Sequence, residues 1–232
     1  MREIVFDTET TGLNPLGGDR IVEIGCVEMF NRVETGRHFH AYFNPERDMP
    51  FEAQEVHGLS NLFLSDKPRF SEKVDELLDF LEDSPLVAHN AGFDFGFLNF
   101  ELEKCGRTAV SMVRMVDTLS LARSKHPGAK HSLDALCMRF GIDRSQRIKH
   151  GALLDAQLLA QVYVELTGGR QIGLGLVADA GSVSVRQSAR PVTTREPRPA
   201  RPHAPLAEEL ERHRAFIAKL VNPLWERFAA IH

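Results

Sequence analysis

The run Ile4-Val5-Phe6-Asp7-Thr8-Glu9-Thr10-Thr11-Gly12 constrains this chain more than any other, because an apolar stretch stops abruptly at two carboxylates one residue apart. The apolar residues predict a buried strand, and the period-2 geometry of a strand sends alternate side chains to the same face. Asp7 and Glu9 therefore converge on one side of the strand's end. Two anions held that close favour a cation.

Further strands are expected at Ile21–Val27 and His38–Phe43, joined through a polar turn from Asn31 to Gly36, so the chain opens as an antiparallel meander. Phe51 to Gly58 reads as a short helix entering a turn, and Ser60 as an N-cap. Val74, Leu77, Leu78 and Leu81 recur at i, i+3, i+4, i+7, which predicts an amphipathic helix over 70–81 capped by Ser71. Leu86-Val87-Ala88 is a short buried strand that delivers His89 to Asp94 at its far end. A helix from Phe95 to Lys104, a strand over 112–117, a short helix over 119–124 and a helix from Ser132 to Gly141 follow. Ala152 to Tyr163 is a strong helix, ended by Gly168-Gly169. Strands first, then alternating strands and helices, predict an α/β domain over residues 1–169 with a mixed sheet and helices on both faces.

Beyond Gly169 the composition shifts. Residues 177–205 are rich in Arg, Pro, Ser, Thr and Ala and cannot bury enough apolar surface to offset the entropy of ordering, so they read as a flexible basic linker. Residues 206–232 place Leu210, Ile217, Val221, Leu224 and Phe228 at helical spacing, an amphipathic tail that has no core of its own and so suits docking on a partner.

Several classes fall away. Cys26, Cys105 and Cys137 are odd in number and widely spaced, against a disulfide framework or a structural zinc site; buried thiols are expected. No apolar run approaches the roughly 20 residues of a membrane span, and Met1-Arg2-Glu3 leads straight into the strand without a signal peptide, so a cytoplasmic protein with no membrane contact is expected. A net charge of −4 argues against strong intrinsic affinity for phosphate backbones. An acidic catalytic cluster depresses that count, however, and a nuclease tethered to a larger DNA-binding machine needs little affinity of its own.

Three more residues extend the opening pair. Asp94 follows a strand, where ligands of α/β sheets gather. Asp155 lies on a mostly apolar helix, where an acid costs free energy unless something pairs with it. His150 stands five positions earlier, close enough to share a site. Taken singly, each has an ordinary role open to it, such as an acid favouring a helix dipole or a histidine exposed at a helix start.

Read together, D-T-E-T-T-G at Asp7 to Gly12, H-N-A-x-F-D at His89 to Asp94 and H-G-A-L-L-D at His150 to Asp155 resemble the three exonuclease motifs of the DnaQ family, in its subgroup with a histidine in the third motif. S-L-D-A-L-C at Ser132 to Cys137 and V-H-G-L at Val56 to Leu59 resemble the family's proofreading members, and the likeness spans about residues 3–176. It implies a ribonuclease H-like fold and hydrolysis of a DNA 3' end with two divalent ions, Mg2+ or Mn2+, about 3.5–4 Å apart. Asp7, Glu9, Asp94 and Asp155 would hold the ions, with Asp7 bridging, and His150 would act as general base toward the attacking water. The resemblance also places Glu52 and His57 beside the terminal nucleotide, alongside Thr8, Thr10 and Gly12, whose backbone would approach it closely. On sequence alone a solvated helix face suits Glu52, and an exposed turn suits His57. His89 and Asn90 read as orienting groups, and Asp117 as the cap of the following helix.

Gln171, Leu174 and Leu176 resemble the Q-x-x-L-x-L/F peptide that docks into a bacterial sliding clamp, which marks 170–176 as a clamp-binding segment; an unstructured extension reads equally well. The tail would then reach the polymerase alpha subunit, and a small third core subunit is compatible with the family. An RNA- or oligonucleotide-trimming nuclease, or a non-catalytic scaffold between clamp and polymerase, are the alternatives.

Overall fold

Five strands form one mixed sheet in the order β3-β2-β1-β4-β5. They are β1 (Arg2–Thr10), β2 (Ile21–Phe30), β3 (Val33–Tyr42), β4 (Leu86–Ala88) and β5 (Met115–Asp117). The helices are α1 (Phe51–His57), α2 (Asn61–Leu64), α3 (Phe70–Leu81), α4 (Ala91–Lys104), α5 (Thr118–Lys125), α6 (Leu133–Phe140), α7 (Ala152–Leu166) and, described by itself, α8 (Ala207–Ile217). The computed structural model describes residues 1–147, 149–169 and 205–220. β1 pairs antiparallel with β2 and parallel with β4, so the meander and the βα units share one central strand. Among the described residues no helix is long and apolar enough to cross a membrane. Cys26 and Cys137 are buried as expected, whereas Cys105 is only half-buried; all three are free thiols.

Because β1 is covered on both faces, its alternation sorts residues between two helix layers. Ile4 and Phe6 join the core formed with α3 and α4, while Val5 packs against α7. Phe6 meets Phe95 of α4 edge to face at 5.8 Å between ring centroids. By the same parity Asp7 and Glu9 share the α7 side, and Thr8 turns toward α4.

Opposite Asp7 in the register stands Gly25 of β2. A Cβ there would lie 2.3 Å from the Cα and N of Leu153 and 2.4 Å from the carbonyl carbon of Ala152, so the first turn of α7 rests directly on the sheet. Gly25→Ala is expected to cost about 3 kcal/mol or more, since the new methyl meets backbone rather than a side chain that can swing away. Thermal melting should fall by roughly 6–12 °C; a melting point within a degree or two of the parent would show that α7 can recede.

Three local readings are corrected. The β2–β3 turn is only Asn31-Arg32, both at positive φ (50° and 65°), and β3 starts at Val33. Two consecutive left-handed residues match the twist of the flanking strands, and that permits the shorter connection. Helix α3 is capped at Arg69 rather than Ser71, because Glu72 Oε1 reaches back to accept the Arg69 N–H at 2.9 Å. Helix α4 starts four residues before Phe95: Asn90 turns the chain at φ 65°, and Asp117 Oδ1 accepts the N–H groups of Asn90 (3.0 Å) and Ala91 (3.3 Å).

Candidate active site

The early start of α4 matters because it puts Asp94 in a first helical turn, anchored to the sheet, instead of in a loop. Asp117 caps α5 as well, accepting from Leu119 N at 3.0 Å, so one carboxylate fixes the starts of two helices. Burial opposes its ionisation, but the bonds from Ser120, Ala91, Leu119 and Asn90 outweigh that and hold it below the usual carboxylate range. His89 Nδ1 lies 2.9 Å from Thr118 Oγ1, which ties the end of β4 to the same corner. Arg20 adds a buried fork to Glu101 of α4, at 2.6 and 2.8 Å.

On this frame the four acids meet. Asp94 is buried and accepts from Thr8 Oγ1 at 2.7 Å. Asp155 occupies the first turn of α7, also buried. Ligand-capable atoms of Glu9, His150 and Asp155 all lie within 4.8 Å of one another. Asp7 joins them electrostatically: burial first, then the charges of Asp94, Glu9 and Asp155, push its carboxyl well above the usual range, with only Arg147 pulling it back. His150 is exposed, its N–H donating to Val56 O at 3.3 Å, and Lys149 Nζ donates to Glu55 O at 2.7 Å, which straps this segment to α1.

The electrostatics describe a pocket short of positive charge. Glu9 is pushed up to about 8 by burial and then by Asp155, Glu23 and Asp94. Burial raises Asp94 to about 7 against the hydrogen bonds it accepts from Thr8 and the backbone. Asp155 alone is held low; burial opposes this, but its bonds with Arg147 and His150 prevail. Carboxylates whose burial and mutual repulsion favour the protonated form are suited to exchange that proton for a divalent ion. An oxygen-dominated donor set selects a hard cation over zinc.

A cleft of about 550 Å³ opens beside the acids, lined by Thr8 to Leu13, Pro50, Glu52, Ala53, Val56, His57 and Phe93. Glu52 is exposed at its rim. His57 is buried, which overturns the exposed-turn alternative; Nδ1 accepts from Leu59 N at 3.0 Å, and Nε2 has no partner among the described residues. The Thr8 hydroxyl is committed to Asp94, and Thr10 Oγ1 donates to Gly12 O at 2.6 Å. A Cβ on Gly12 would stand 2.4 Å from the Asp19 carboxylate, so this glycine lets the loop close on Asp19. Gln171, Leu174 and Leu176 lie outside the described residues, as do 177–204 and 221–232.

Two participants carry no motif in the sequence. Glu23, opposite Glu9 across the sheet and 2.7 Å from His40 Nε2, adds to the negative potential. Arg147 is the other. It grips Asp155 through Nε and Nη2 at 2.5 and 2.6 Å and sets Nη2 2.9 Å from His150 Nδ1. A basic residue three positions ahead of His150 was its only trace.

The family model RNase_T, described as Exonuclease, matches residues 4–163. The chain belongs to this exonuclease family. Similar proteins include DNA polymerase III subunit epsilon of Rickettsia conorii, 50% identical over 225 residues that cover 96% of this exonuclease and 97% of the relative. The subunit of the same name from Escherichia coli K12 is 48% identical over 176 residues, 73% of this chain and 72% of that one. Among solved structures, exonuclease X in complex with 5' overhanging duplex DNA superposes with a TM-score of 0.55 at 25% identity, covering 71% of this exonuclease and 90% of that chain. The nuclease domain of 3'hExo, a DEDDh family member bound to rAMP, gives 0.62 at 17% identity over 72% and 91%, a likeness of fold. The mixed sheet flanked by helices is thus the ribonuclease H-like fold expected from the motifs.

Proposed function

We propose that this exonuclease removes mispaired nucleotides from DNA 3' ends as the proofreading subunit of a replicative polymerase in the cytoplasm. What carries the reading is the length of the likeness: the Rickettsia epsilon subunit aligns over 96% of the chain, well past residue 163 where the catalytic family model stops. Residues 170–176 would bind the sliding clamp, 177–205 would act as a linker, and the tail from 206, whose helix α8 exposes Leu210 and Phe216, would dock on the polymerase alpha subunit.

Asp7, Glu9, Asp94 and Asp155 would hold two divalent ions, Mg2+ or Mn2+, which when bound neutralise charge developing on the attacking and leaving oxygens. The chain's own groups do the rest. His150 takes the proton of the attacking water. Thr8 fixes the Asp94 rotamer. The backbone from Thr8 to Gly12, with Glu52 and His57, forms the walls against which the terminal nucleotide lies.

Incubation of a matched and a mismatched primer terminus with the chain and Mg2+ tests the assignment. Preferential loss of the mismatched 3' nucleotide is expected. Attack confined to RNA would replace proofreading with trimming, and absence of cleavage on either would leave a scaffold.

A further inference from the structure

Arg147 is part of no motif, yet its guanidinium is nearly buried against the acidic pocket, with 8% of its side chain exposed. Both oxygens of Asp155 are occupied by its fork, at 2.5 and 2.6 Å. Its remaining arm, Nη1, points outward to Asp134 Oδ1 at 3.1 Å. Asp134 sits at the start of α6, far more exposed, and shares Arg144 Nη1 at 2.8 Å. One guanidinium thus stands between an inner carboxylate that belongs to the candidate metal site and an outer one that does not.

We propose that Arg147 is a built-in competitor of divalent metal: it neutralises Asp155 until a metal ion binds, then transfers its grip to Asp134. The inference rests on the metal-site reading given above. Its physical basis is that Glu9 and Asp155 already offer ligand atoms within 4.8 Å of one another, and a metal ion held between them would stand against the positive fork on Asp155. The two cations cannot share that carboxylate without strong repulsion. Asp134, already 3.1 Å from Nη1, keeps hold of the guanidinium when the two arms on Asp155 let go. The same departure frees His150 Nδ1, which now lies 2.9 Å from Arg147 Nη2.

Two variants of the full chain, titrated with Mn2+ by calorimetry and followed by thermal melting with and without metal, pull in opposite directions. Arg147→Gln removes the competitor and should bind Mn2+ about tenfold more tightly, the worth of losing one charge-assisted hydrogen bond from the competing state. Its metal-free melting point should drop, and the gap from the parent should close at saturating Mn2+. Asp134→Asn removes the outer resting place and should weaken Mn2+ binding roughly twofold to fivefold, as expected for a partly exposed pair. A merely structural clamp would weaken metal binding in both variants. If the parent binds Mn2+ and Arg147→Gln binds it equally or less well, the competition is refuted while the metal site stands; if the parent binds no Mn2+ at all, the metal site falls and the competition with it.

Discussion

Asp7→Asn is expected to reduce removal of a DNA 3' nucleotide by at least about a thousandfold, the loss that follows when several kcal/mol of charge stabilisation at the reacting phosphate disappears. The same substitution should make the metal-free protein more stable. Asp7 faces Asp94, Glu9 and Asp155, and its ionised form is disfavoured by burial and by all three. An amide of the same shape removes that repulsion. The pH dependence follows from the same shifts. Glu9 and Asp94 have folded values of about 8 and about 7, above ordinary carboxylate values, so the folded state holds more protons than the unfolded one between about pH 4.5 and 8. Stability of the metal-free parent is therefore greatest below that window and is lost as pH rises through it. The slope is about 1.4 kcal/mol per pH unit for each retained proton, or about 3–5 °C in melting temperature. Asp7→Asn should flatten that fall, and saturating Mg2+ should abolish it in the parent. A metal-free melting point that climbs between pH 5 and 8 would contradict the electrostatic account of the pocket.

His150→Ala separates chemistry from metal binding. The ring is exposed at the mouth of the site, and its removal leaves all four acids in place. Turnover should fall by about 10²–10⁴, the usual contribution of a positioned base. Mn2+ affinity, by contrast, should change by less than about threefold, because the oxygen donors carry most of the ion binding. Single-turnover cleavage and calorimetry on the same preparation check both halves. Near-normal cleavage would remove His150 from proton transfer, and loss of Mn2+ binding would make it a ligand.

The Asp7/Glu9 pair was readable from the sequence because strand parity is local: it needs only an apolar run and the knowledge that alternate residues share a face. The helices α3, α6 and α7 were readable for the same reason, each announced by its own periodicity. What escaped is non-local. The first turn of α4 carries Gly92 and no apolar stripe, and it is helical because Asp117, 27 residues from Asn90, accepts its free N–H groups. His57 looked like a turn residue until the strap from Lys149 and His150 closed over α1. Arg147 resembles any exposed cation in a polar loop; only the folded chain shows that its partner is Asp155.

A strand that is greasy on both sides has no hydrophobic reason to prefer one alignment with its neighbour over another shifted by a single residue. For β1 such a slip would send Asp7 and Glu9 to the α4 layer and turn Phe6 toward α7. The missing side chain at position 25 supplies the preference: β2 is notched at a single place to seat the shoulder of α7, and that notch lies beside Asp7. The glycine therefore acts as a key in a keyway, fixing which carboxylates the sheet presents.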